Sequence, residues 1–356
     1  MRVALIGPPQ SGKSVLFAAV AEAGGSHIDL SRPDQPHLAV VKVPDERLDW
    51  LAELHKPQKF TPAELEFLDL PGFDLSSEAG RSRTRAHWTA MQQSDMLVFV
   101  VAGFDNPSVG AYRDKVDPAR DVDELKQEML FADLERVMAR VEKLEAAVKK
   151  PTPRRDEQVR ELELMKRLRD TLENEEPLSN AIQSESETRF LRSFQFLTLK
   201  PTLVVVNCAE DAAAEVGPAE LVGLPAMQLS ARIEEELAQL SPEDRDEFLK
   251  DLGLTEGARD RLIRACYERL NLVSFLTDGP DECRAWTVPG GTTAVAAADS
   301  IHSDIARVFI RAETVAFDDL RDAGDHKKAK AAGKVRLEGK EYVVQDGDVI
   351  YFRFNV

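Results

Sequence analysis

Eight residues near the start of the chain restrict its fold more than any other stretch. Gly7-Pro8-Pro9-Gln10-Ser11-Gly12-Lys13-Ser14 fits the pattern G-x-x-x-x-G-K-[ST]. It follows an apolar run, Val3 to Ile6, and opens a stretch from Lys13 to Ala23 with helix formers and one apolar face. Strand, glycine loop and helix in that order form the phosphate-binding turn of an α/β domain. The glycines let backbone N–H groups turn inward around phosphate oxygens, and the helix start adds its positive end. Lys13 is placed to reach the β- and γ-phosphates, and the Ser14 hydroxyl to ligate Mg²⁺. Pro9, Gln10, Ser11, Gly12, Lys13, Ser14 and Val15 are therefore the expected phosphate-side contacts.

Further motifs follow further strands. Glu64 to Leu68 alternates toward Asp69-Leu70-Pro71-Gly72. An aspartate there holds Mg²⁺, usually through water, and the glycine N–H senses the γ-phosphate. Lys13, Asp69 and Gly72 are thus the expected catalytic group, with Ser14 and Asp69 as metal ligands. Met96 to Val101 and Leu203 to Val206 are unbroken apolar runs, which indicate a parallel sheet covered on both faces. Asn207-Cys208-Ala209-Glu210 ends the last of them, where GTPases place N-K-x-D. Glutamate replaces the aspartate that forks onto guanine, and the propping lysine is Cys208. That favours ATP over GTP or weakens the discrimination, with Asn207 serving a purine N7. Ser230-Ala231, after the short strand Ala226 to Leu229, resembles the loop whose backbone touches the purine. Phe73 stands where many GTPases place the glutamine that orients the attacking water, and a phenyl ring cannot hydrogen-bond water.

Composition narrows the partners. The formal net charge is −17, so a global electrostatic hold on nucleic acid is disfavoured and no DNA partner is expected. The 3 cysteines are unclustered and read as reduced thiols in the cytoplasm. No run of about 18 apolar residues occurs, so no membrane span is expected.

Between residues 119 and 197 the chain is charge-rich with few turn signals. Leu130, Leu134, Val137, Val141, Leu144 and Val148 step by four and three, and Leu162, Met165, Leu168 and Leu172 resume the pattern. The prolines of Lys149-Lys150-Pro151-Thr152-Pro153-Arg154-Arg155 separate the two runs. An antiparallel coiled-coil hairpin inserted in the sheet domain is expected. Its tip carries Lys149, Lys150, Arg154 and Arg155, a candidate contact for RNA phosphates. From Leu272 the texture becomes that of a small α+β unit. Arg284 to Val288, Glu341 to Val344 and Val349 to Phe354 read as strands, the last two joined by Gln345-Asp346-Gly347-Asp348, and Ala294 to Phe309 reads as a helix. The expected division is 1–118 with 198–271, then 119–197, then 272–356.

Together these pieces resemble the Obg-like ATPase family of the YchF type. The resemblance spans nearly the whole chain. Its most specific runs include Glu247-Phe248-Leu249-Lys250-Asp251-Leu252-Gly253-Leu254, Arg284-Ala285-Trp286-Thr287 and Phe309-Ile310-Arg311-Ala312-Glu313. Ile301-His302-Ser303-Asp304 and the stretch from Gln345 to Val356 match as well. The resemblance implies a P-loop G domain with a helical-hairpin insertion and a C-terminal TGS domain, a β-grasp module that contacts RNA or protein. It also implies a cytoplasmic ATPase associated with ribosomes or ribosomal RNA. A monomer is expected.

The chain departs from the family pattern in places. The switch segment matching Ser26 to Leu38 has no threonine to complete the Mg²⁺ shell, and Pro33 and Arg32 stand near that position. Asn106 to Lys115 lacks the histidine that members carry before the hairpin, and His87 reads as a surface histidine. The glycine-rich stretch after D-x-x-G is thinned to Asp74 to Gly80. Three readings stay open: a slow Mg²⁺-dependent ATPase switch, a non-catalytic nucleotide-gated adaptor, and a GTPase despite Glu210.

Overall fold

The structure, a computed structural model, describes residues 1–22, 32–106, 111–254 and 256–355, without the side chains of 242 and 243. Part of the switch segment, 26–31, and part of the stretch before the hairpin, 107–110, lie outside the described residues. In chain order the strands begin with β1 (Arg2–Ile6), β2 (His37–Lys42), β3 (Lys59–Thr61), β4 (Glu64–Asp69) and β5 (Met96–Ala102). They continue with β6 (Thr202–Asn207), β7 (Glu220–Leu221), β8 (Leu224–Leu229) and β9 (Leu272–Thr277). The last four are β10 (Glu282–Pro289), β11 (Phe309–Ala316), β12 (Arg336–Glu338) and β13 (Asp348–Phe354). The chain forms two compact units, 1–39 with 67–255, and 40–66 with 256–356.

The first unit is built on a sheet of order β2-β4-β1-β5-β6-β8-β7. β1, β5, β6 and β8 run parallel, with Val3 opposite Met96, Leu97 opposite Thr202, and Val204 opposite Ala226. The apolar runs are the central strands, which must bury side chains on both faces. Each parallel strand delivers its C-terminal end, and so its loop, to the same edge of the sheet. This is the edge where open α/β sheets bind ligands.

Helix α1 spans Lys13–Glu22, α2 Glu46–His55, α3 Glu78–Arg85, α4 Trp88–Gln93, α5 Pro118–Ala147 and α6 Arg155–Glu173. The inserted hairpin is present, but α5 plays two parts. Its first half, through Val122, Leu125, Met129 and Ala132, packs into the sheet's own core. Its second half, through Val137, Val141 and Leu144, packs on Leu164, Met165, Leu168 and Leu172 of α6. Leu130, Leu134 and Leu162 are only partly buried in this seam, and Leu164 takes a fuller share than the heptad spacing indicates. Asp133 fixes the base of the hairpin, because its buried carboxylate accepts hydrogen bonds from the N–H groups of Leu197 and Thr198. The tip residues Lys149, Lys150, Arg154 and Arg155 are all exposed.

The second unit holds a mixed sheet of order β12-β11-β13-β9-β10-β3. β9 and β10 pair antiparallel, β11 and β13 pair antiparallel, and β13 lies parallel to β9. The helix Ala294–Ile301 crosses one face on Phe275, Val288, Phe309 and Phe352, as in a β-grasp. The other face is covered by Leu48 and Leu51 of α2 together with Phe317, Leu320 and Ala329. Residues 40–66 therefore contribute a helix and an edge strand to this unit, a long-range exchange that composition does not signal.

Two expected elements are corrected here. The helix expected from Ala294 to Phe309 breaks at His302, which is extended (φ −165°, ψ 134°) and caps a second short helix, Ser303–Arg307, with its own imidazole. Phe309 then starts β11. Glu341 to Val344 is not a ladder strand, and Val343 makes only an isolated bridge to Thr293. Both partners of β13 are already taken by β11 and β9. The Asp348 carboxylate instead gathers this segment, accepting from the Tyr342 hydroxyl at 2.7 Å and the Gln345 N–H at 2.9 Å.

Candidate nucleotide site

The loop between β1 and α1 has its shape because two of its glycines admit no substitute. A Cβ on Gly7 would lie 2.0 Å from the Val100 carbonyl oxygen on β5. A Cβ on Gly12, whose φ is +84°, would lie 2.0 Å from Asn207 Nδ2. Gln10 is also left-handed (φ 64°), so the backbone reverses twice before entering α1. The result is a concave turn capped by the start of a ten-residue helix, the geometry that suits a phosphate group.

One carboxylate organises the chemistry beneath the loop. Asp69, at the end of β4, is 3% exposed. Lys13 Nζ donates to its Oδ1 at 2.6 Å and also to the Leu70 carbonyl. Ser14 Oγ donates to its Oδ2 at 2.8 Å. The lysine that neutralises phosphate and the two oxygens that suit a hard cation are thus already in contact. Their charges balance, which such burial requires. The turn after Asp69 is locked to the loop. Phe73 N–H donates to the Gly7 carbonyl at 2.9 Å, and a Cβ on Gly72 would lie 2.9 Å from Pro9 Cα.

The base-side residues are assembled differently. Asn207, 3% exposed, donates from Nδ2 to the Ser11 carbonyl at 3.0 Å and accepts on Oδ1 from the Ala231 N–H at 2.9 Å. This bracing uses one amide hydrogen of Asn207 and leaves the other for a base. The structure brings Ser230 and Ala231 to the loop through that brace. Ser11 Oγ and Ser230 Oγ are buried with no hydrogen-bond partner among the described residues. Glu210 is not drawn in. Its side chain is 60% exposed and its nearest cation is Arg232 Nε at 4.0 Å.

His87 is the residue that sequence reasoning missed. It is half-buried rather than a surface histidine, and its ring stacks on Phe73 with centroids 6.3 Å apart and planes 15° apart. It lines the same 880 Å³ cleft as Lys13, Ser14 and Gly72. Burial, and then the Lys13 charge, push its pKa below the ordinary histidine value, so the ring is neutral near pH 7. The only earlier signal was its place shortly after D-x-x-G in a stretch short of glycine. Pro33 and Asp34 line the cleft too, at the position where the family's threonine is absent.

Comparison with known proteins settles the family. The profile described as "50S ribosome-binding GTPase" matches residues 2–141. The profile of the YchF-GTPase C-terminal family, described as "Protein of unknown function (DUF933)", matches residues 272–355. "Ribosome-binding ATPase YchF" of Bacillus subtilis is 38% identical over 363 residues, covering 99% of this chain and 98% of that protein. The chain belongs to the YchF family. "Obg-like ATPase 1" of Oryza sativa subsp. japonica is 32% identical, covering 100% of this chain and 92% of its own length. The YchF GTPase structure of Schizosaccharomyces pombe superposes with a TM-score of 0.84 at 27% identity, covering 99% of this chain and 97% of that one. The YchF match accounts for the G domain, whose matched range contains both the loop and Asp69, and for the separate C-terminal domain.

Proposed function

We propose that this chain is a Mg²⁺-dependent ATP hydrolase of low intrinsic turnover that acts on ribosomes. The observation that carries the reading is the single buried carboxylate of Asp69 shared between Lys13 and Ser14 under a strained glycine loop. Ser14 Oγ and Asp69 are hard oxygen donors 2.8 Å apart, a set that suits Mg²⁺ and not a soft metal. Mg²⁺, when bound, neutralises charge on the β- and γ-oxygens. Lys13 exchanges its Asp69 contact for phosphate oxygens, and the Gly72 N–H faces the γ-phosphate. Gln10 to Val15 hold the phosphates through their backbone N–H groups, and Pro9, which has none, shapes the turn before them.

Phe73, 1% exposed, excludes water rather than orienting it. His87, which lines the same cleft, orients the attacking water in this reading, because its neutral ring can accept a hydrogen bond. Glu210 in place of aspartate favours ATP, and Asn207, Ser230 and Ala231 shape the base side. Ribosome association is supported by the ribosome-binding relatives and by the four exposed cations at the hairpin tip of an acidic chain. Reversing the charge of Lys149, Lys150, Arg154 and Arg155 is expected to weaken ribosome co-sedimentation and flatten its salt dependence.

The segments 1–118 with 198–271, 119–197, and 272–356 then act as nucleotide switch, arm and TGS module of a cytoplasmic monomer, with 40–66 and 256–271 packed into the last of them. Single-turnover hydrolysis of γ-labelled ATP, with and without ribosomes, tests the reading. Lys13-dependent phosphate release supports it. Nucleotide binding with no release under either condition replaces it with the adaptor reading, which the buried Phe73 and the threonine-free switch segment favour.

A further inference from the structure

Three side chains far apart in sequence converge in the second unit, none of them assigned to nucleotide. His55 is the last residue of α2, Asp278 follows β9, and His326 opens the short helix His326–Ala331. His326 Nε2 lies 2.6 Å from Asp278 Oδ2, and His55 Nε2 lies 2.7 Å from the same oxygen. The ligand atoms of all three lie within 4.8 Å of one another. We propose that His55, Asp278 and His326 form a binding site for a divalent transition-metal ion of the zinc class.

The two histidine contacts are not equivalent. His326 meets the geometry of a hydrogen bond to Asp278. His55 Nε2 is within ion-pair distance but off the hydrogen-bond angle, and it is buried with no hydrogen-bond partner. A ring nitrogen 2.7 Å from a carboxylate oxygen with no hydrogen bond between them is an unsatisfied contact, which positive charge beside both atoms would relieve. A metal ion accepts both imidazole lone pairs and the carboxylate at once, where a proton satisfies one pair of atoms only. Two imidazole nitrogens and one carboxylate oxygen are a borderline donor set, suited to Zn²⁺, Co²⁺ or Ni²⁺ and unlike the all-oxygen pair at Ser14 and Asp69.

The backbone beneath the site is fixed before any ion arrives. Lys56, in the left-handed region, ends α2 and donates to the Ala52 carbonyl at 2.8 Å. Gln58 and Lys59 donate to the Pro280 and Asp281 carbonyls, each at 3.0 Å, which ties the chain after His55 to the chain after Asp278. The Asp325 carboxylate caps the helix that begins with His326, accepting from the Lys328 N–H at 2.8 Å. Tetrahedral coordination at about 2.0–2.1 Å separates ligand atoms by roughly 3.4 Å, so the present contacts need open by only about 0.7 Å. The Asp278 side chain is 9% exposed, while those of His55 and His326 are 24% and 42% exposed. That leaves a solvent side where water completes the shell. The ion would fasten α2, from residues 40–66, to the C-terminal part of the same unit.

The test uses the full chain, stripped with a chelator and then held in excess Mg²⁺ so that oxygen sites are filled. Zn²⁺ is titrated by calorimetry and Co²⁺ by its visible d–d absorption, on the native chain and on His326→Gln, Asp278→Asn and Lys13→Ala. One equivalent is expected to bind, at least about tenfold more weakly in His326→Gln and Asp278→Asn and unchanged in Lys13→Ala. Zn²⁺ is also expected to raise the Tm of the native chain and not that of His326→Gln. Absence of saturable binding overturns the proposal, as does binding that survives His326→Gln or is lost only in Lys13→Ala. Should Asp278→Asn fail to fold, His326→Gln decides alone, since its side chain is the most exposed of the three.

Discussion

The two ends of the nucleotide site are built on different principles. The phosphate end is compact and charged: Gly7 to Ser14 is one loop, and its Lys13 and Ser14 share the Asp69 carboxylate at the end of the neighbouring strand. The base end is distributed and braced: Asn207 joins a loop at Ser11 to another at Ala231, and Glu210 stands apart at the surface. The phosphate end therefore tolerates almost no change. The base end has room to drift, and its drift alters purine preference more readily than it abolishes binding.

Lys13→Ala should break the phosphate end outright. It removes the phosphate cation and leaves the buried Asp69 carboxylate unpaired, a loss of about 3–5 kcal/mol that ligand-free unfolding in denaturant would report. ATP binding by calorimetry should become undetectable. Unchanged affinity would remove the loop from the assignment.

His87 separates chemistry from binding. His87→Ala is expected to lower the single-turnover rate by about 10² or more with little change in ATP affinity. The folded pKa of His87 lies below its unfolded value of about 6.5, so the neutral ring and the activity persist at pH 7 and fade as pH falls through the lower folded value. The sign for stability agrees. On acidification the unfolded chain takes up this proton first, so His87 subtracts stability below about pH 6.5, levelling once the folded form is also protonated. An acid limb that persists unchanged in His87→Ala would assign it to another group.

Asn207→Ala should act on the base end without favouring one purine. Two buried backbone groups lose their partner, a cost of about 1–3 kcal/mol, and ATP and GTP affinities should fall together by about tenfold. A selective loss of one nucleotide would show that Asn207 touches the edge by which the two purines differ. Glu210→Asp is expected to be the mildest change. Its exposed side chain predicts a stability change within about 0.5 kcal/mol, with a severalfold shift toward GTP in a competition assay. An unshifted ratio would show that Glu210 does not face the base.

Local chemistry was sufficient for what the chain determined by itself. The motif Gly7 to Ser14 depends on residues whose backbone must turn left-handed or approach another strand closely, and few residues other than glycine do so. The apolar runs of β1, β5 and β6 and the stepped leucines of α5 and α6 are periodicities that burial imposes directly. Tertiary structure alone decided the rest. Nothing local marks His87 as a neighbour of Phe73, because its environment comes from how α3 and α4 fold back over the loop. Nothing local shows that Asn207 serves as a brace, or that β13 would take β11 and β9 as partners and leave Glu341 to Val344 without a ladder. Residues 40–66 complete a sheet whose other strands lie more than two hundred positions away, and His55, Asp278 and His326 meet only because of that. A backbone turn is specified by the residues within it, whereas a contact between distant side chains is specified only by the packing that closes the loops between them.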